Sequence, residues 1–356
     1  MLVGVLGCAL AVTEWPRVAA QSFALTAMEL LDQYERGTPT AAEAFKGVIH
    51  VESVKDDLHA QGERWIEEAG PKEVARRRLV AATFALETAR AGLDHEWANS
   101  VDLIDWGWTQ LRKERPPLPA ERLWHLAAIA LFQGAFDVDE LETRIGRLNS
   151  RFPDEPYLVL TQGWLTANVA WRATVRAPAR LGMTGPSTIS VAPSAPLRGK
   201  PGGIAELDGT VSRAYAKALS NPAIAPEAHV RLAYYDLIAD QHESALAHLA
   251  AAQSGTADRD VIYLAHLFRG WTLSRMDRAA ETTTEYQQAV DALPAAGTGA
   301  LWLAGRLLLE GKRAEADAVV ERSLVDKDVD DPWRLFGYGD FHRFPALMTQ
   351  LRRAIR

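Results

Sequence analysis

The sequence predicts an all-α chain of antiparallel helical hairpins stacked side by side. Three observations lead there. Apolar residues recur at three- and four-residue spacings along most of the chain. No stretch alternates polar and apolar residues, β-branched, between turn signals, so no sheet is expected. Toward the C-terminus, three successive windows of 34 residues repeat one order of small and large residues. The composition agrees: of 356 residues, 48% are hydrophobic and 24% charged, which is globular and not disordered, collagenous or coiled-coil. Roughly 100–200 residues per domain allows two or three domains, or one long repeat array. A net charge of −7 disfavours a general nucleic-acid binder, which needs a basic face.

The elements follow in order. Leu2 to Val12 (LVGVLGCALAV) is apolar or small throughout, too short for a bilayer but right for the core of a signal peptide. Val18-Ala19-Ala20 suits a cut after Ala20, so residues 1–20 are read as a leader and the mature chain as periplasmic or secreted. Val5-Leu6-Gly7-Cys8 also resembles a lipobox. No Lys or Arg precedes the run, so a buried first helix of a cytoplasmic protein stays open. Cys8, the single cysteine, makes no intrachain disulfide and no cysteine-based zinc or iron–sulfur site. No other segment reaches the ~18 apolar residues of a membrane span.

Residues 21–173 read as an N-terminal helical half of degenerate hairpins. Gly37 and Gly70-Pro71 end helices there, and 72–91 and 95–113 are strongly helical, the second rich in tryptophan (Trp97, Trp106, Trp108). Pro116, Pro117 and Pro119 make a break. Leu126, Ala127, Gly134 and Pro153 suggest a further hairpin at 120–153. Residues 174–209 hold five prolines and six glycines and are basic, with no acid before Glu206. Such a stretch is not expected to propagate a helix. It reads as a linker between two helical halves, either mobile or an insertion without a role. Residues 210–330 hold the repeats. Residues 331–356 read as their cap, with a last helix starting at Pro345.

The windows are 226–259, 263–296 and 297–330. The first has Leu232, Ala233, Asp240, Ala245, Leu249 and Ala252 at positions 7, 8, 15, 20, 24 and 27. The second has Gly270, Leu273, Tyr286, Ala289 and Pro294 at 8, 11, 24, 27 and 32. The third has Leu303, Ala304, Leu307, Gly311, Ala316, Val320 and Ser323 at 7, 8, 11, 15, 20, 24 and 27. Small residues at 8, 20 and 27 let two helices approach, and large ones at 7, 11 and 24 fill the space between them. Asp240 and Asp277 stand where the tight turn needs left-handed backbone. Arg269 and Thr282 depart from the pattern and make the second window's first helix the expected weak point. The pattern resembles the tetratricopeptide repeat (TPR) family, which implies a superhelical α-solenoid whose first helices line a concave, partner-binding face.

That resemblance places Tyr234, Leu237 and Ile238, then Leu267, Trp271, Ser274 and Arg275, then Trp302, Leu308 and Leu309 on the concave face. The candidate protein-binding groove is Tyr234, Leu237, Leu267, Trp271, Arg275, Trp302 and Leu308, with Trp271, Trp302 and Arg275 as hot spots. The Lys, Asn and Arg set with which some relatives clamp an acidic C-terminal peptide is missing. Either a partner's helix or extended segment docks on this face, or the chain's own N-terminal helices cover it.

Catalytic motifs are absent: no HExxH, GxSxG or GxxxxGK[ST] occurs. The glycine-rich Arg198–Gly203 follows no strand. Asp326, Asp328 and Asp330 alternate as in a calcium loop, but Asp331 and Gly337 stand where Gly and Glu are required. Asp340 and His342 have no nucleophile nearby, and His125, His248 and His266 read as ordinary helix residues. No cofactor and no metal are expected. The first reading is therefore a non-enzymatic scaffold for a protein or peptide partner. The others are an enzyme or ligand-binding protein with a pocket between the halves, lined by Trp106, Trp124 and His125, and a subunit of a membrane-associated envelope assembly whose basic linker touches anionic surfaces.

Overall fold

The computed structural model describes residues 27–37, 51–92, 96–135, 138–175, 201–323, 331–339 and 343–356. The apolar N-terminal run, Asp326, Asp328, Asp330, Asp340, His342 and residues 176–200 lie outside the described residues. Among the described residues the regular structure is all helical: α1 (Ala27–Glu35), α2 (Val51–Asp57), a π turn (Leu58–Gly62), α3 (Glu63–Glu67), α4 (Val74–Gly92), α5 (Trp97–Leu111), α6 (Glu121–Ala135), α7 (Val138–Arg151), α8 (Pro156–Val175), α9 (Pro201–Leu219), α10 (Ala225–Ile238), α11 (His242–Ser254), α12 (Arg259–Arg275), α13 (Ala279–Ala292), α14 (Gly297–Leu309), α15 (Arg313–Ser323), α16 (Pro332–Phe336) and α17 (Phe344–Ala354). The chain forms two compact units, Met1–Ala135 with Arg343–Arg356, and Phe136–His342.

In the first unit α4 and α5 make the main helix pair, with α1, α2, α3 and α6 against α4 and α17 against α6. Gly107 permits the close approach: a Cβ there would stand 3.3 Å from Ala82 Cα and 3.1 Å from the Trp124 ring. The buried Trp124 indole N–H donates to the Ala82 carbonyl at 2.8 Å. The Trp65 indole N–H donates to Asp32 at 2.7 Å, and the Arg77 guanidinium lies 4.4 Å over the Trp65 ring. The last helix is tied in by charge: Arg352 pairs with Glu87 at 2.6 Å, which also accepts from the Tyr34 hydroxyl at 2.8 Å. Burial, and next the Glu87 charge, push the Tyr34 phenol up. Trp106, Trp124 and His125 are buried inside this unit, where they fill its core.

The sequence-based division also changes. The two helices read as one hairpin at 120–153 exist, but α6 belongs to the first unit and α7 to the second. The stretch 174–209 is not loop throughout: α8 runs to Val175 and α9 opens at Pro201. Proline is well tolerated in a first helical turn, because the N–H it lacks has no intrahelical acceptor there. α8 and α9 pair with each other inside the second unit. Residues 176–200 therefore interrupt a helical pair and do not separate two halves. The segment 331–356 also divides, with α16 in the second unit and α17 in the first.

The second unit continues as α10/α11, α12/α13 and α14/α15, each helix packed on the next, a TPR-like α-solenoid. The three turns share one geometry. Asp240, Asp277 and Gly311 have φ of 59°, 58° and 74°. Gln241, Arg278 and Lys312 N–H groups reach back to the carbonyls of Asp236, Leu273 and Leu307 at 2.8, 3.0 and 2.9 Å, closing a Schellman motif each time. The small residues do what the pattern requires. A Cβ on Gly270 would meet the Tyr286 ring at 2.4 Å, and Ala233, Ala245, Ala252, Ala289, Ala304 and Ala316 are buried. Gly163 and the Tyr215 ring repeat that contact at 2.7 Å between α8 and α9. The two departures are accommodated. Thr282 is fully buried with its hydroxyl on the Arg278 carbonyl at 3.0 Å, and Arg269 pairs with Glu285 at 2.9 Å. The helix expected to be weak, α12, has 17 residues and an Asp258 side chain that accepts from Asp260 and Val261 N–H groups.

Candidate functional site

The first helices of the repeats, α10, α12 and α14, present equivalent positions on one face. At position 5 stand Val230, Leu267 and Leu301; at position 12, Leu237, Ser274 and Leu308; at position 13, Ile238, Arg275 and Leu309. At position 5 the fates differ by repeat, whereas at positions 12 and 13 Ser274 and Arg275 of the second repeat are already exposed. Val230 and Leu267 are fully buried and Leu237 is 3% exposed, whereas Leu301, Leu308 and Leu309 are 61, 52 and 80% exposed.

A short helix from the segment after the last repeat, α16, lies against the aromatic part of this face. Its Trp333 ring sits 6.1 Å from Tyr234, 5.4 Å from Phe268, 6.2 Å from Trp271 and 5.9 Å from Trp302. Its Phe336 ring is 5.3 Å from Tyr234 and 5.1 Å from Phe268, with the Arg231 guanidinium 5.2 Å over it. Such edge-on pairs each add about 0.5–1.5 kcal/mol beyond the area they bury. Burial pushes the Tyr234 phenol up to about 12.

Asp331 docks this helix. It caps α16 by accepting from the Trp333 N–H at 3.0 Å. It also accepts from the Thr298 N–H at 2.7 Å and the Tyr263 hydroxyl at 3.2 Å, and that hydroxyl accepts from the Gly299 N–H at 3.0 Å. Residue Ala296, just before α14, offers no side-chain cap, so a distant carboxylate and a phenol satisfy the open N–H groups of α14. Burial, and next the Asp331 charge, push the Tyr263 phenol up.

Of the residues singled out in the sequence, the structure brings Tyr234, Trp271 and Trp302 together in this aromatic cluster. Leu237 and Leu267 lie in the core beneath it, and so cannot themselves touch a partner. Arg275 leaves the cluster and pairs with the turn residue Asp240 at 2.6 Å. Leu308 belongs to the exposed stripe. Sequence reasoning missed Asp331, Trp333 and Phe336, which it assigned to a cap, together with Tyr263 and Phe268.

Elsewhere, the His229 and His248 Nδ1 atoms meet at 2.8 Å, and His266 Nδ1 lies 2.7 Å from Glu285. Among the described residues no group of three or more His, Cys, Asp or Glu is placed to hold a metal ion, and no helix is long and apolar enough to cross a membrane. Arg198, Gly199 and Lys200 lie outside the described residues.

No protein-family model and no curated protein matches the chain. Among solved structures, MamA MSR-1 C2 is similar with a TM-score of 0.33 and 12% identity, over 57% of this chain and 95% of that one.

Proposed function

We propose that the chain is a non-enzymatic, exported scaffold of the tetratricopeptide repeat family that binds another protein through the first-helix face of its repeats. One observation carries the reading. The third repeat presents a stripe of exposed leucines, Leu301, Leu308 and Leu309, and at the position of Leu301 the first two repeats have the buried Val230 and Leu267. Solvent-exposed leucines grouped on one helix face suit an apolar partner surface. Export rests on the apolar run Leu2–Val12 and the small residues before Gln21.

The test is affinity purification from the native host with quantitative mass spectrometry, comparing the wild type with Leu308→Glu/Leu309→Glu. Partners present on the wild type and depleted at least tenfold on the variant are expected. An unchanged set, with the variant's helix content intact, rejects the face as the site. The N-terminus of the recovered protein should be Gln21; a chain starting at Met1 rejects export by cleavage.

A further inference from the structure

The segment Asp331–Phe336 reads as a ligand that the chain carries for its own groove. It behaves as a short helical peptide would: an acidic residue caps it, and Trp333 and Phe336, one turn apart, enter the aromatic cluster. The groove recognises both features separately. The N-terminus of α14 and the Tyr263 hydroxyl take the carboxylate, and Tyr234, Phe268, Trp271 and Trp302 take the rings. The fit is incomplete. The Trp271 indole N–H is buried in the cluster and donates to no acceptor among the described residues. A buried donor left unmet costs about 1–3 kcal/mol. Trp333 itself is only half buried. A competing segment that fills the cleft and offers an acceptor to Trp271 therefore has an advantage over the resident one.

We infer that this groove takes, in trans, a short amphipathic protein helix with an acidic cap followed by Trp and Phe one turn apart, and that α16 holds the site until such a partner displaces it. This rests on the scaffold reading above and names the partner's chemistry.

The experiment uses the full chain and a fluorescent peptide of residues 329–338, followed by anisotropy. A chain carrying Trp333→Ala and Phe336→Ala has its groove vacated and should bind the peptide at least tenfold more tightly than the wild type. A peptide with both aromatics replaced by Ala should bind neither. Equal affinity for both chains, or no binding to a double variant that keeps its helix content, overturns the inference. Should the double variant lose its fold, the wild type decides. Excess peptide should speed amide hydrogen exchange at residues 331–336 several-fold, and unchanged exchange overturns the inference. Partner loss with the α14 variant but no peptide binding would leave the scaffold reading standing and remove this one.

Discussion

Leu267 and Leu301 hold the same position in successive repeats, on helices of the same kind, yet one is fully buried and the other 61% exposed. The local sequence treats them alike. Their surroundings differ: α16 packs its rings on Tyr234 of α10 and on Phe268 and Trp271 of α12, and on α14 it meets Trp302. A repeat pattern thus states which residues point to a shared face. It does not state which part of that face stays open.

Several substitutions can break or sharpen this comparison. The largest expected effect is at the paired leucines. Leu267→Ala should cost about 2–5 kcal/mol by urea unfolding, and Leu301→Ala less than about 0.5 kcal/mol. Similar losses at both would mean that Leu301 is covered in solution. Next come two glycines. Gly270→Ala should cost about 1–3 kcal/mol, because its Cβ would meet the Tyr286 ring at 2.4 Å. Gly305→Ala, on the open side of α14 with nothing within 4 Å, should instead gain about 0.5–1 kcal/mol. Tyr263→Phe removes the hydroxyl linking α14 to Asp331 and should cost about 1–2 kcal/mol. It should also speed exchange at Gly299, whose N–H loses its acceptor.

The smallest effect is on pH dependence. Burial, and next His248, hold His229 below its ordinary value of 6.5. Its neutral form is favoured by folding, so this contribution is present above pH 6.5 and is lost as pH falls through the lower folded value. The urea midpoint of His229→Gln should drop less than that of the wild type between pH 7.5 and 5. An identical drop would place the acid sensitivity elsewhere.

Much of the repeat architecture can be read from local residues. Asp240, Asp277 and Gly311 mark turns because few other residues accept left-handed backbone. Gly270 and the buried alanines mark close approach, and neither signal needs knowledge of the rest of the chain. The helical pair α8/α9 escapes such reading because residues 176–200 split it and remove the 34-residue period, while Pro201-Gly202-Gly203 look like breakers although they open a helix. Only the contact of Gly163 with Tyr215 betrays the kinship. The first unit is harder still. Trp65 on Asp32, Trp124 on the Ala82 carbonyl and Arg352 on Glu87 are bonds between distant residues with no characteristic spacing. The groove is partly legible: the aromatic residues of α10, α12 and α14 follow from the repeat register. Its occupant is not, since Asp331 lies 33 residues from Thr298 and 68 from Tyr263.

The most direct test of recognition on the first-helix face is site-specific photocrosslinking in the native host. A photoreactive residue replacing Leu308 on α14 should capture protein adducts. The same residue replacing the exposed Asp317 on α15, a second helix, should capture few. No adduct at 308, or equal capture at 317, would contradict the account.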